Sequence, residues 1–135
     1  TDYVLIHDGA RPFATPEIIA RGIEAVQIYK ACVIGMPVKD TIKISDMDGF
    51  AEQTPNRNLV WQIQTPQIFS FDLIHSAYEK LLLKEEELKQ QGIAVTDDAM
   101  VAELFSDKKV KLVEGSYENM KLTTPEDLKI AECFI

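Results

Sequence analysis

The stretch TDYVLIHDGARPFATPEIIARGIEAVQIYKACVIGMP, Thr1 to Pro37, decides the fold. Tyr3–Ile6 is a short apolar run closed by His7-Asp8-Gly9, as in a buried strand that stops at a functional edge. Thr15-Pro16-Glu17 then announces a helix. Thr sits at the N-cap, Pro at the first helical position and an acid in the first turn. Ile18, Ile19, Ile23, Val26 and Tyr29 follow at helical spacing, and Ala31–Pro37 is apolar again, the next strand. Strand, helix and strand in this order predict a right-handed βαβ crossover, the unit of a mostly parallel sheet with helices on its faces.

Beyond Pro37 the pattern changes. Thr41-Ile42-Lys43-Ile44-Ser45 alternates with period two, Asp46–Gly49 forms a turn, and Phe50–Thr54 returns as a partner strand. This predicts a β-hairpin arm leaving the α/β body. Leu59–Ile63 is apolar and Thr65-Pro66-Gln67 is expected to end it. Ser70 caps a long helix from Phe71 to about Gln91 with Gly92 as its stop, its Leu73, Ile74, Ala77, Leu81 and Leu88 turned inward. Thr96-Asp97-Asp98 opens another helix, Val110–Val113 is a strand, and Thr124-Pro125-Glu126-Asp127 starts a closing helix. With no internal repeat and no linker, residues 1–135 form a single α/β domain.

Composition narrows the function classes. The 135 residues carry 14 basic and 22 acidic side chains, a formal charge of −8, with 46% apolar residues. This is the balance of a globular chain, not of a disordered one. An acidic chain is a poor partner for the phosphate backbone of nucleic acid. No apolar run approaches the ~20 residues of a membrane span, and no signal peptide opens the chain. Cys32 and Cys133 stand alone, without CxxC or Cys/His spacing, which predicts neither a zinc site nor a disulfide framework. A cytoplasmic setting is expected, or a plastid in a plant. The chain begins at Thr1 and enters a strand within two residues, so the expectation is the back portion of a longer protein.

Nucleophilic enzyme chemistry has little to work with. His7 and His75 are far apart, there is no GxSxG elbow, and the Gly-rich phosphate loops GxGxxG and GxxxxGKS are missing. What remains is a set of basic and hydroxyl residues at element ends: Arg11, Lys39, Thr41, Lys43, Arg57, Thr65 and Lys121. Brought into one cleft, these cations would make a local anion site.

Six segments carry a resemblance in order: Ile6–Phe13 (IHDGARPF), Pro37–Lys43 (PVKDTIK), Asn56–Trp61 (NRNLVW), Gln64–Phe69 (QTPQIF), Thr96–Ala99 (TDDA) and Asn119–Thr123 (NMKLT). Together they resemble the 2-C-methyl-D-erythritol 4-phosphate cytidylyltransferase family of the non-mevalonate isoprenoid pathway, over nearly the whole chain. The resemblance implies a Rossmann-like nucleotidyltransferase fold with a protruding arm at 38–60. It also implies transfer of a cytidylyl group from CTP to the polyol phosphate, with pyrophosphate released. The family's opening Gly-rich nucleotide loop has no counterpart in these residues, so this segment by itself is expected to be inactive. Mg²⁺ is expected with the triphosphate, with no protein cage of its own.

Such a reaction suits the inventory. The second pKa of a phosphate monoester is about 6, so the attacking oxygen is already ionised at neutral pH and needs no general base. Catalysis then rests on positioning two anions and neutralising charge at the transferring phosphorus. By resemblance, Arg57 and Lys121 hold and orient the phosphate, while Asp8, Arg11, Thr41 and Thr65 bind substrate. In the family the arm crosses to a second subunit, so Thr41 and Arg57 would complete the neighbour's site in a homodimer. An isolated hairpin is only marginally stable in water, which favours an arm clasped by a partner.

Plainer readings stand beside these. Asp8 also suits a turn before Gly9, Arg11 an internal ion pair, Thr65 a strand end and Lys121 an ordinary surface position. Thr96-Asp97-Asp98 reads as a helix cap rather than a metal site, Trp61 as core and His7 as a buried hydrogen-bonding group. Two alternatives to the leading function are a ribitol 5-phosphate cytidylyltransferase and a truncated, non-catalytic dimerisation or binding module. Lys39 and Lys43 around Asp40-Thr41, with Trp61, favour the methylerythritol enzyme over the ribitol one.

Overall fold

The computed structural model describes residues 1–135 and begins with β1 (Tyr3–Ile6), α1 (Pro16–Tyr29) and β2 (Ala31–Pro37). Thr15 caps α1 as its signal predicts, its Oγ1 accepting the Ile18 N–H at 3.3 Å. The buried stripe of α1 is Ile18, Gly22 and Val26, whereas Ile23 and Tyr29 remain 39% and 43% exposed. Gly22 explains the choice of face. A Cβ there would stand 2.4 Å from Ile68 Cδ1, and the Cys32 thiol donates to the Gly22 carbonyl at 3.3 Å. The missing side chain lets the helix ride close to the sheet along the 18–22–26 line.

Two short strands, β3 (Ile44–Ser45) and β4 (Ala51–Gln53), pair antiparallel as the expected arm. A 3-10 turn at Arg57–Leu59 leads back into β5 (Trp61–Ser70). Helices α2 (Phe71–Gln90) and α3 (Asp98–Phe105), strand β6 (Lys111–Glu114) and helix α4 (Pro125–Ala131) complete the chain. Ser70 Oγ accepts from Leu73 N, Asp97 caps α3, and Thr124 with Asp127 forms a full capping box on α4. No helix is long and apolar enough to cross a membrane.

The main sheet has the order β1-β5-β2-β6. β5 runs antiparallel to both β1 and β2, and β6 runs parallel to β2. Three strands therefore share one direction and β5 alone is reversed, wedged between the two strands of the βαβ unit. The α/β architecture is as expected, but the sheet is only partly parallel rather than mostly so: β2–β6 is its one parallel pairing, because the reversed β5 takes the place between β1 and β2.

One expectation fails here. Thr65-Pro66-Gln67 does not end the strand, which continues to Ser70. Val33 pairs with Gln67 but Gly35 pairs with Ile63, so Ile34 stands opposite Gln64, Thr65 and Pro66 together. Pro66 falls within this bulge, where the ladder needs no N–H from it.

Alternation in β2 and β5 divides the core between the two faces of the sheet. Ala31, Val33 and Phe69 pack with Ile74 of α2 and with Ala99 and Ala102 of α3, while Cys32 and Ile68 pack with Val26 of α1. A strand buried on both faces reads as an unbroken apolar run, which is how β2 appears in sequence. Trp61, expected in the core, is only half-buried at the first position of β5, opposite Pro37.

Candidate active site

β1 ends at Ile6, and the chain turns through His7 and Asp8 at the carboxyl edge, where open α/β sheets bind ligands. Asp8, Arg11, Thr65 and Lys121 converge there and line one cavity of about 320 Å³ with Gln67 and Asp97. These are four of the six residues singled out from the sequence. Asp8 Oδ2 lies 3.3 Å from Arg11 Nε and 3.4 Å from Lys121 Nζ. Arg11 also donates through Nη1 to the Asn119 carbonyl at 2.8 Å. Its ion-pair reading is thus correct, and it lines the cavity as well. Arg11 is only 13% exposed at its side chain, while Lys121 keeps 49%.

Thr65 is held by a chain of hydrogen bonds. The Asp8 N–H donates to Thr65 Oγ1 at 3.1 Å, Thr65 Oγ1 lies 2.9 Å from His7 Nδ1, and His7 Nε2 lies 2.9 Å from the Arg11 carbonyl. His7 is an exposed residue and not the buried one expected, yet both ring nitrogens are engaged.

Beneath the cavity lie polar residues that sequence reasoning did not single out. Asn119 is fully buried and donates to Gln64 Oε1 at 3.0 Å and to the Thr65 carbonyl at 2.9 Å, leaving its own Oδ1 without a partner. Gln64 donates to the Ser116 carbonyl at 2.8 Å, and Gln67 bridges Asp97 at 3.1 Å and the Ala99 N–H at 2.9 Å. The available signal was amides inside an otherwise apolar strand, Gln64 and Gln67 flanking Thr65-Pro66. Buried polar groups of this kind carry a large penalty if unpaired, so together they fix the floor of the cavity.

The Thr96-Asp97-Asp98 segment is a cap, as read from sequence: Asp97 Oδ1 accepts the Met100 N–H at 2.8 Å. Asp98 accepts a hydrogen bond from the Tyr78 hydroxyl. Burial first, and then the hydrogen bond and charge of Asp98, push the Tyr78 phenol up to about 12. Burial and the nearby charge of Asp97 push the Glu103 carboxyl upward. All three carboxylates around the cavity thus have protein partners: Asp8, Asp97 and Asp98.

Thr41 and Arg57 lie elsewhere within a single chain. Arg57 Nη1 donates to the Lys39 carbonyl at 3.0 Å, which fastens the base of the arm, and Thr41 is exposed. Lys39 Nζ sits 3.9 Å over the Tyr117 ring, and the Tyr117 hydroxyl donates to the Pro37 carbonyl at 2.8 Å. The charge count around the Asp8 cavity is accordingly two cations, Arg11 and Lys121, against three carboxylates. One chain alone does not gather the cation surplus that the sequence suggested.

This frame of polar and charged groups lies at the carboxyl edge of an α/β sheet, the place where proteins of this fold class bind their ligands. The family model described as 2-C-methyl-D-erythritol 4-phosphate cytidylyltransferase matches residues 1–135, and the chain belongs to that family. A cytidylyltransferase of this name from Caldanaerobacter subterraneus is 50% identical over 134 residues, which are 99% of this chain and 56% of the relative. One from Lachnospira eligens is 51% identical over 133 residues, 98% of this chain and 56% of the relative. The chain therefore spans little more than half the length of these relatives. Among solved structures, 4-diphosphocytidyl-2C-methyl-D-erythritol synthase from Anaerococcus prevotii superposes with a TM-score of 0.88 at 44% identity, covering 99% of this chain and 56% of that one. The cytidylyltransferase of Thermus thermophilus gives 0.79 at 32% identity, covering 99% and 62%.

Proposed function

We propose that these residues form the polyol-phosphate half of a cytidylyltransferase site, which transfers the cytidylyl group of CTP to 2-C-methyl-D-erythritol 4-phosphate. The observation that carries this reading is the convergence of Asp8, Arg11, Thr65 and Lys121 in one cavity at the carboxyl edge of β1. A phosphate oxygen attacks the α-phosphorus of CTP, a new O–P bond forms, the bond to the β-phosphate bridge breaks, and pyrophosphate departs. Lys121 orients the attacking phosphate, Asp8 sets the direction of both Lys121 and Arg11, and Thr65 meets the polyol. Mg²⁺ enters as part of the triphosphate substrate, neutralising its charge.

Thr41 and Arg57 act in the site of a second copy reached by the arm. Two observations support this. The cavity of one chain has more carboxylates than cations, so a dianionic phosphate needs a further positive group. The arm and its return also expose apolar side chains, with Phe50 at 71%, Leu59 at 80% and Met47 fully in solvent at 104%. Solvent-facing apolar groups on a hairpin too short to be stable alone mark a contact surface.

The test is CTP-dependent pyrophosphate release by the enzyme carrying these residues, with methylerythritol 4-phosphate and ribitol 5-phosphate compared side by side. Faster release with the methylerythritol substrate is expected. Preference for the ribitol phosphate, or no release with either, overturns the assignment.

A further inference from the structure

The hydrogen-bond chain at His7 has a direction, and that direction limits what Thr65 can recognise. A carbonyl oxygen cannot donate, so the 2.9 Å contact from His7 Nε2 to the Arg11 carbonyl places a proton on Nε2. A neutral imidazole carries one N–H, which leaves Nδ1 an acceptor. The Thr65 hydroxyl, 2.9 Å away, must then donate its single proton to Nδ1. One of its two lone pairs already accepts the Asp8 N–H at 3.1 Å. A hydroxyl offers one proton and two lone pairs, so Thr65 has one lone pair left for the cavity it lines and no proton.

We propose that His7 is a specificity-determining residue: by taking the Thr65 proton it makes the Thr65 oxygen an acceptor only, selective for a substrate hydroxyl and unable to donate to a phosphate oxygen. The inference rests on the functional reading above and refines it. Phosphate oxygens are acceptors alone, and an oxygen facing them with a lone pair meets repulsion rather than a bond. A polyol hydroxyl is a donor and completes the chain. The phosphate is thereby left to Lys121 and the other cations, and the alcohol end of the substrate to Thr65.

Two measurements test this. The first is the ¹⁵N spectrum of the His7 ring in the enzyme carrying these residues, which distinguishes the tautomers without turnover. The Nε2–H form with Nδ1 as acceptor is expected; an Nδ1–H form overturns the proposal. The second is steady-state kinetics with the intact polyol phosphate and with analogues in which one hydroxyl at a time is replaced by hydrogen. Thr65→Val should raise KM about tenfold for the intact substrate, the scale of one lost hydrogen bond, and leave unchanged the analogue lacking the matching hydroxyl. Thr65→Ser, which keeps the hydroxyl, should recover most of the discrimination between intact substrate and analogue that Thr65→Val loses. His7→Phe frees the Thr65 proton but leaves its lone pair, so it should keep the preference over the deoxy analogue while losing the wild-type rejection of an analogue with an acceptor-only group, such as a methyl ether, at that position. His7→Asn should restore that rejection, because Asn Oδ1 occupies the place of Nδ1 as an acceptor. Equal loss in Thr65→Val for every analogue, or no rescue by His7→Asn, overturns it. Absence of cytidylyl transfer by the unsubstituted enzyme refutes the functional reading instead, and the tautomer still decides the inference.

Discussion

Asp8 and Lys121, from opposite ends of the chain, meet with Oδ2 and Nζ 3.4 Å apart, and the same oxygen lies 3.3 Å from Arg11 Nε. The pair is partly exposed, 36% at Asp8 and 49% at Lys121. An ion pair in that setting contributes only about 0–1 kcal/mol to stability. A charged hydrogen bond to a bound phosphate is worth roughly 1.5–3 kcal/mol. On the role proposed for Lys121, its loss should therefore tell on function more than on folding. Lys121→Ala should lower turnover about tenfold to a hundredfold with an almost unchanged melting temperature. Wild-type rates by pyrophosphate release would remove Lys121 from the mechanism.

The arm gives the second prediction. Phe50 in the hairpin and Leu59 in the turn after it are 71% and 80% exposed, so on the two-copy site proposed above Phe50→Asp with Leu59→Asp should shift the protein from dimer to monomer by sedimentation velocity. Arg57→Ala should act on a different readout. It removes the guanidinium that donates to the Lys39 carbonyl, and it should cut turnover about tenfold or more while the mixed dimer with a Lys121→Ala subunit regains part of the activity. Recovery on mixing is the signature of a site built from two copies. An unaltered monomeric state in both proteins would place the arm's apolar groups outside any interface.

How far the sequence reaches can be judged from individual residues. Thr15, Ser70, Asp97 and Thr124 each cap the helix their signals announce, because a cap is a local device whose partners lie within three residues. The meeting of Asp8 with Lys121 was legible only through a family pattern, since no local rule joins positions so far apart. Thr65-Pro66-Gln67 has the sequence of a strand end but forms a bulge inside β5. Proline argues against a central strand unless the partner's register slips, and that slip is a property of Gly35 and Ile63 across the ladder. Asn119 shows the same limit: nothing in its neighbours says that it is buried beneath Thr65.

Thiol chemistry offers a third check. Cys32 is fully buried against α1 and donates to the Gly22 carbonyl at 3.3 Å; burial pushes its thiol up to about 12. Cys133 is exposed. The thiolate is the reactive form, so in mildly alkaline buffer a disulfide reagent should titrate Cys133 alone, and both cysteines only in denaturant. Rapid reaction of Cys32 in the native protein would show that α1 opens readily from the sheet.

Asp127 gives the pH dependence. Its carboxylate accepts from the Thr123 and Thr124 N–H groups, both at 2.9 Å, and these bonds hold its pKa below the ordinary 3.8. A folded value below the unfolded one means support that is present above the ordinary carboxylate range and lost as pH falls through the folded value. Asp127→Ala should therefore unfold at lower urea concentration than wild type at neutral pH. The two should converge in acid well below 3.8. A difference that persists undiminished in acid would assign the effect to packing of α4 instead.

Two glycines separate soft crowding from hard crowding. At Gly22 a Cβ would meet Ile68 Cδ1 at 2.4 Å, the far end of a side chain that can turn. Alanine also gains about 1 kcal/mol of helix propensity over glycine. At Gly35 the nearest atom is the Gln62 carbonyl oxygen at 2.8 Å, backbone that no rotamer change moves, beside the register slip that places Thr65. Gly35→Ala should thus cost about 1–3 kcal/mol by denaturant midpoint, and Gly22→Ala distinctly less. Because the strain at Gly35 is released into β5, Gly35→Ala should also raise KM for the polyol phosphate under conditions where the protein remains folded. Gly22→Ala, on the helix side of the sheet, should leave KM alone. The reverse ranking in stability would mean that α1, rather than the β2–β5 ladder, is the unyielding part of this sheet.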